Sequence, residues 1–221
     1  MRFSDYYTAQ ARKPSGLFGR LVMPLVFNRG NAFLNRFVAA QVAVAPDDRI
    51  LEIGCGPGKL IAAMAEKIET GRIDGIDFSP EMVAAAEKRN AKRILQGVVA
   101  IQKADFGAST DMGSRYTKAC SVNTLYFWKD PRQVLEKAIR LLEPGGRFVL
   151  GLEDAEQLKG RRLSKDIFRI YSKDEVLQMF AECDALEAVK IKTRRKGRQL
   201  FHCAVATKQA PDNLSRRGEK R

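Results

Sequence analysis

The sequence predicts an α/β fold in which a mostly parallel sheet, with helices on both faces, ends in an antiparallel hairpin. Three observations lead to this prediction. Strand-like and helix-like segments alternate after residue 48, as they do in parallel sheets built from strand–helix units. A glycine-rich turn at residues 54–58 joins the first strand to the next helix. Near the end of the chain, two strand-like runs, 185–195 and 199–208, flank the Lys196-Gly197 turn.

The first half of the alternation is marked by apolar strands and one clear helix start. Apolar runs predict strands at 49–54, 71–77, 98–105 and 118–124. Between the first two, residues 59–69 have apolar side chains at helical spacing. Ser79 is a typical N-cap for the following helix, because proline occupies its first position and glutamate its first turn.

The second half continues the same pattern. Asp130-Pro131 opens an amphipathic helix, and Pro144-Gly145-Gly146 predicts a turn before a fifth strand at 147–152. Ser172 then caps a last helix over 172–182, which precedes the hairpin.

The chain is expected to have three parts. Residues 1–40 form an N-terminal helical extension, and the stretch 16–44 is read as one or two amphipathic helices broken by Pro24 and Gly30. Such an extension is either a lid over the carboxyl edge of the sheet, where ligands bind, or a simple cover for the core. Residues 41–208 form the α/β domain, and 209–221 a basic, flexible tail.

The charge is strongly basic, with Lys+Arg 39 against Asp+Glu 26 and a formal net charge of +13. Such an excess favours nucleic acid, an anionic membrane surface or an acidic partner. The two basic clusters, residues 190–198 and 216–221, have no aromatic residues interleaved, so solvated faces are the favoured interpretation.

Cysteine and histidine usage narrows the class of protein. The four cysteines form no CxxC pair and histidine occurs once, at His202, which argues against a disulfide scaffold and against a metal site. The first residues do not read as a signal peptide, because no apolar run follows their charged residues. The apolar segment at 21–27 is too short to cross a bilayer. We expect a cytoplasmic protein.

The sequence of the glycine turn indicates which kind of nucleotide it binds. Residues 54–58 read G-C-G-P-G, whereas the dinucleotide fingerprint needs a third glycine where Lys59 stands. Pro57 has no N–H to offer a phosphate, and the charge of Glu52 opposes a nearby pyrophosphate. S-adenosylmethionine (SAM) has no phosphate, and its ammonium group is attracted to an acidic side chain. The turn therefore favours SAM.

Acidic residues at the ends of the second and third strands complete a nucleoside site. Asp77 ends the second strand, where a carboxylate accepts the ribose hydroxyls in nucleotide-binding sheets. Phe78 and Met82 are expected to pack on the adenine. Asp105, followed by Phe106, is placed to accept from the adenine amino group.

Together these motifs resemble class I SAM-dependent methyltransferases over roughly residues 40–208. The resemblance is nearest to the small-molecule group that includes ubiquinone/menaquinone C-methyltransferases. It implies a Rossmann-like seven-stranded sheet of order 3-2-1-4-5-7-6. It also implies a set of residues that bind SAM: Glu52, Gly54, Gly56, Gly58, Asp77, Phe78, Met82, Asp105, Phe106 and Asn123.

The methyl acceptor is expected beside the end of the fourth strand. Asn123 and Tyr126 are candidate catalytic residues of an acceptor pocket, and Glu153, after the fifth strand, is a candidate general base or a solvated helix start. Phe127 and Trp128 either line the pocket or pack the following helix.

Three functions are consistent with these residues. The favoured one is methyl transfer to a small acceptor that is apolar, aromatic or membrane-associated. The alternatives are a nucleic-acid methyltransferase that uses the basic clusters and a SAM-binding protein without catalysis. The chain lacks the N-P-P-Y type signature of base-amine methyltransferases, since Asn123 is followed by threonine and leucine, which counts against the nucleic-acid alternative.

Overall fold

Over the residues that the computed structural model describes (3–108, 115–161 and 163–210), seven strands form one sheet with the order β3-β2-β1-β4-β5-β7-β6. The first five strands are parallel, and β7 runs antiparallel to β5 and β6. This confirms the predicted fold class. The strands are β1 (Arg49–Ile53), β2 (Arg72–Asp77), β3 (Val99–Lys103), β4 (Tyr116–Val122), β5 (Leu142–Glu153), β6 (Leu186–Lys196) and β7 (Gln199–Lys208).

The register of the central strands brings three chain segments to one edge. Ile53 at the end of β1 is opposite Ile76 of β2 on one side and Ser121 of β4 on the other. Because parallel strands point the same way, the residues that follow them emerge together at the carboxyl edge.

The N-terminal part of the chain contains four helices, and three of them lie in the stretch 16–44, where the sequence predicted one or two. They are α1 (Phe3–Arg12), α2 (Gly16–Leu21), α3 (Met23–Gly30) and α4 (Ala32–Val42). Pro24 does not break a helix but lies in the first turn of α3, where a missing N–H removes no intrahelical bond. Gly30 is the last residue of α3.

The remaining helices pack on the two faces of the sheet. They are α5 (Lys59–Ala65), α6 (Pro80–Leu95), α7 (Pro131–Leu141), α8 (Ala155–Lys159) and α9 (Lys173–Ala181). Apolar side chains of α4 and α5 form one buried cluster, and those of α7 and α9 form the other. Along the described ranges, no helix combines the length and apolarity needed to cross a membrane.

The predicted turn at residues 144–146 lies inside β5 and does not precede it. Tyr116 pairs with Leu142 and Lys118 with Arg147, so the register shifts and the intervening residues bulge from the ladder. Gly145 has φ +76°, which glycine adopts without the steric penalty of a side chain.

The basic cluster at residues 190–198 lies on the hairpin and mostly on β6, the edge strand of the sheet. The last five side chains of β6 are exposed. The guanidinium carbon of Arg194 lies 5.0 Å from the ring centroid of Phe37. Lysine and arginine on an edge strand discourage pairing with another chain. The edge position therefore accounts for the basic composition of β6 in structural terms.

The three-part division of the chain stays a prediction. Its first boundary, at residue 40, falls inside α4, which packs against β5. Gln209, assigned to the tail, is buried, and its N–H donates to the carbonyl of Ala185 at 2.9 Å. The rest of the predicted tail, residues 211–221, lies outside the described residues.

The packing of α4 on β5 predicts the effect of a small substitution. A Cβ added at Gly151 would lie 2.4 Å from Val38 Cγ2 and 3.3 Å from Leu34 Cδ1. We expect Gly151→Ala to lower the free energy of unfolding by about 1–3 kcal/mol, measured by urea denaturation. The control is Gly30→Ala, where a Cβ meets no atom within 4 Å. Equal stability of the two variants would contradict this packing.

Candidate active site

A cavity of about 660 Å³ opens at the carboxyl edge of the sheet. It is bounded by the ends of β1, β2 and β4 and by the N-terminal helices. Most of the residues predicted for the cofactor and acceptor sites line it, namely Gly54, Asp77, Phe78, Met82, Asp105, Phe106, Asn123, Tyr126 and Glu153. Glu52 lies in an adjoining recess, and Gly56 and Gly58 lie outside the lining.

The three glycines of the loop have different local surroundings. Gly54, Gly56 and Gly58 all have positive φ, at +70°, +52° and +70°. A Cβ at Gly54 would lie 2.4 Å from the methyl of Thr124, and one at Gly58 would collide with Asn90 and Ala86 of α6. A Cβ at Gly56 would meet nothing within 4 Å. The first and third glycines thus permit close packing within the protein, and the space beside Gly56 is open to a ligand.

Asp77 fixes the conformation of this loop. Its Oδ2 accepts the N–H of Gly56 and its Oδ1 accepts the N–H of Ser79, both at 2.9 Å. Burial raises the pKa of Asp77, and these backbone donors offset part of the rise. Each carboxylate oxygen keeps a further acceptor site for a ligand hydroxyl. The sequence predicted the ligand contact and missed the contact with the loop.

Glu52 is buried beside the loop without a full set of partners. It is 3% exposed and faces a recess of about 30 Å³ that Asn28 and Lys59 also line. Among the described residues, neither Glu52 Oε2 nor Asn28 Oδ1 has a hydrogen-bond partner. Burial, followed by repulsion from Asp77, raises the pKa of Glu52 well above its usual range. A buried acceptor without a donor fits a ligand that brings a cationic donor, such as an ammonium group.

The start of α6 connects the predicted nucleoside side to the N-terminal extension. Ser79 caps α6 by accepting the N–H of Met82 at 3.3 Å, and its hydroxyl donates to the carbonyl of Pro14 at 2.8 Å. Lys13 Nζ lies 5.9 Å from the ring centroid of Phe78. Asp105 accepts the N–H of Gly107 at 3.0 Å. Extension and sheet edge therefore form one wall of the cavity.

Aromatic side chains form the wall on the opposite side. Tyr126 stacks on Phe168 with ring centroids 4.5 Å apart, and Phe127 meets Phe168 edge-on at 5.3 Å. Trp128 and Phe201 also line the cavity. Burial raises the pKa of Tyr126 above its usual range, so the phenol is neutral at physiological pH.

Asn123 and Glu153 are held by networks of hydrogen bonds. Asn123 has φ +55°, a strained conformation for a residue with a side chain, and its amide donates to Asn31 Oδ1 at 3.0 Å. The N–H of Glu153 donates to the Tyr126 hydroxyl at 2.7 Å. The Glu153 carboxylate pairs with Arg161 through both oxygens, at 3.3 and 2.5 Å. A carboxylate paired in this way is an anchor for the pocket wall.

Asp154, the neighbour of Glu153, serves the fold. It caps α8 by accepting the N–H of Glu156 at 3.0 Å, and its Oδ2 lies 3.0 Å from His202 Nε2. Burial raises the pKa of Asp154, but the bond from His202 and the backbone N–H donors of Glu156 and Gln157 together outweigh it, so the net shift is downward. The buried His202 also contacts Thr193 Oγ1 at 2.9 Å, so hydrogen bonds hold its ring in place within the hairpin.

Sequence reasoning missed part of the cavity. Arg161 and Phe168 lie in a segment without helical or strand periodicity, so no pattern marked them. Asn31 lies between α3 and α4 and reaches the site only through tertiary packing. Phe201 was read as part of the hairpin; it begins a run of four consecutive buried residues in β7, so no alternation marked it as a cavity residue.

Comparison with known proteins agrees with this geometry. A family model described as a methyltransferase domain matches residues 45–204. The uncharacterized methyltransferase YdaC of Bacillus subtilis is 29% identical over 185 residues, which cover 81% of this chain and 94% of that protein. A ubiquinone biosynthesis O-methyltransferase of Xanthomonas campestris is 32% identical over 114 residues, covering 52% of this chain and 46% of the relative.

A solved structure shares the fold at low sequence identity. Magnesium protoporphyrin IX methyltransferase of Synechocystis PCC 6803, with bound SAH, superposes with a TM-score of 0.64 and 15% identity, covering 81% of this chain and 84% of that one. The family match spans most of the sheet and includes the glycine loop and the acidic strand ends. The chain therefore belongs to the methyltransferase domain family and is an S-adenosylmethionine-dependent methyltransferase.

Proposed function

We propose that this methyltransferase acts on a small apolar or aromatic acceptor. The observation that carries the proposal is the single cavity of about 660 Å³ that joins the glycine loop to the aromatic wall of Tyr126, Phe127, Trp128 and Phe168. Pockets of this size and character suit small molecules. The relative from Xanthomonas campestris, an O-methyltransferase of ubiquinone biosynthesis, supports an acceptor of this class.

The residues on the cofactor side of the cavity are assigned to three parts of SAM, namely its amino-acid end, its ribose and its adenine. We assign Glu52 and the loop of Gly54, Gly56 and Gly58 to its amino-acid end, and Asp77 to the ribose hydroxyls. The adenine is assigned to Phe78, Met82, Asp105 and Phe106. When bound, SAM supplies an electrophilic methyl group on a sulfonium.

Asn123, Tyr126 and Glu153 then orient the acceptor. Their mutual hydrogen bonds, and the pairing of Glu153 with Arg161, hold the end of β4 and the end of β5 in one geometry. Aligning an acceptor and excluding water supply much of the acceleration of a displacement reaction. The neutral Tyr126 hydroxyl and the paired Glu153 carboxylate suit this positioning role better than that of a strong base.

A nucleic-acid acceptor is the second candidate, because Lys196, at the tip of the basic hairpin, also lines the cavity. Non-catalytic SAM binding is the third. A cytoplasmic location stays part of the proposal. The four free cysteines, three of them buried, suit a reducing compartment.

Asp77 should be essential for binding SAM. Asp77→Ala removes the proposed ribose acceptor and the anchor of Gly56, so we expect SAM affinity to fall about a hundredfold by calorimetry. Asp47→Ala, at an exposed position just before β1, is the matched control and should bind SAM normally. Unchanged affinity of the Asp77 variant would reject the assignment.

Replacing Glu52 should change the stability of the free protein and its affinity for SAM in opposite directions. Glu52→Gln removes a carboxyl whose pKa is raised by burial, so the free protein should melt on the order of 3 °C higher at pH 8. The same change should weaken SAM binding at least about tenfold.

The pH dependence of this difference follows from the raised pKa. Stability contributed by the protonated carboxyl is present below the ordinary carboxyl pKa and is lost as the pH rises through the raised one. The two proteins should therefore melt alike near pH 4 and diverge with increasing pH. A variant that is less stable than the parent at pH 8 would show that Glu52 has a partner in the free protein.

The third prediction tests the acceptor class. With methyl-labelled SAM, we expect label to enter the organic-extractable small-molecule fraction of a cell extract and to be absent with Asp77→Ala. Label in RNA that disappears steeply with added salt would favour the nucleic-acid candidate. SAM binding without transfer to either fraction would favour the non-catalytic candidate.

A further inference from the structure

Exposed apolar side chains are concentrated in one short stretch of the chain. Among the described residues, six large hydrophobic side chains are exposed, and five of them lie between positions 6 and 25. We call these five the N-terminal apolar patch: Tyr6 (37% exposed), Leu17 (76%), Leu21 (62%), Val22 (38%) and Leu25 (64%). The sixth, Leu95, lies at the end of α6. Isolated exposed leucines are common, whereas a cluster marks an interaction surface.

The leucines of the patch share one side of a nearly continuous helical path. The N–H of Val22 donates to Phe18 O at 2.9 Å and that of Val26 to Val22 O at 3.0 Å, so α2 leads into α3 with little interruption. Leu17, Leu21 and Leu25 recur every four residues, which places them on the same side.

The other side of α3 faces the active site. Met23 is fully buried, and Val26 and Phe27 line the cavity. Leu25 of the patch is thus separated from the cavity by the thickness of α3, so a surface bound at the patch lies close to the active site.

The charge around the patch is positive. Residues 3–42 contain five basic residues and one acidic residue, Asp5. All five basic residues of this range are exposed, namely Arg12, Lys13, Arg20, Arg29 and Arg36. Leucines that project between arginines and lysines are the composition of helices that lie in the interface of an anionic bilayer.

We propose that the N-terminal apolar patch docks the enzyme on an anionic lipid bilayer. The leucines enter the boundary between headgroups and acyl chains, and the surrounding cations contact lipid phosphates. A second copy of the chain fits less well, because a symmetric contact through the patch would oppose like charges. Nucleic acid would use the cations and leave the leucines exposed to water.

This arrangement also bears on the acceptor. With the patch on the bilayer, the cavity mouth lies at the membrane surface, where an acceptor dissolved in lipid is accessible. That consequence rests on the proposed function, whereas docking itself needs neither SAM nor an acceptor. Vesicle binding and SAM calorimetry therefore fail independently if one of the two proposals is wrong.

The test is sedimentation of the full chain with vesicles, without SAM. We expect binding to phosphatidylcholine vesicles that contain about 30% phosphatidylglycerol, much weaker binding to pure phosphatidylcholine, and a loss of binding with added salt. Absence of binding to the anionic vesicles would overturn the proposal.

Matched variants test the two components of the surface. The triple variant Leu17→Gln, Leu21→Gln, Leu25→Gln should weaken binding at least about tenfold, whereas Leu95→Gln should not change it. The variant Arg20→Gln should weaken binding about fivefold. Its control is Lys92→Gln, at an exposed position near the end of α6, on the opposite edge of the sheet.

The same variants also show which results would overturn the proposal. SAM affinity and far-UV circular dichroism equal to those of the parent show that each variant is folded. If the folded leucine variant binds vesicles as the parent does, the patch is not the docking surface. If the patch is needed instead for a concentration-dependent dimer in size-exclusion chromatography, or for RNA binding, the lipid assignment is overturned.

Discussion

The carboxylate of Asp77 is the contact on which the site depends. One oxygen holds Gly56 in the loop after β1, and the other holds Ser79 at the start of α6. Through the hydroxyl of Ser79 the same junction reaches Pro14 in the N-terminal extension. A single side chain at the end of β2 therefore aligns three segments that are far apart in sequence. The loop conformation, the direction of α6 and the position of the extension are all coupled to it.

Burial of acidic groups at this junction opposes the stability of the free protein. Glu52 and Asp77 lie close enough to repel each other, and both are removed from water. An apolar or amide side chain at position 52 would suit the fold better. Glutamate there is understandable as a residue kept for a positively charged ligand, since local sequence rules are commonly broken at functional sites.

Local patterns in the sequence were sufficient for the strand–helix alternation, the glycine loop and the acidic strand ends, because each is encoded within a few neighbouring residues. The sheet order followed from the family resemblance that these motifs carry. The extension was predicted less well. Pro24 was read as a break, although its position in the first turn of α3 is one that proline favours. The turn at 144–146 was placed outside β5, because a bulge depends on pairing with β4. Arg161 and Phe168 reach the cavity from an irregular segment, so only the folded chain brings them to Glu153 and Tyr126.

The two halves of the cavity come from different kinds of chain segment. The cofactor half follows the ends of β1, β2 and β3, where the backbone is fixed by the sheet. In the proposed assignment, the acceptor half combines the ends of β4 and β5 with connecting segments that add no strand to the sheet, among them the one that contains Arg161 and Phe168. Exchange of these connecting segments, in evolution or by design, can therefore change the acceptor that the enzyme methylates. The strand ends that bind the methyl donor would stay unchanged.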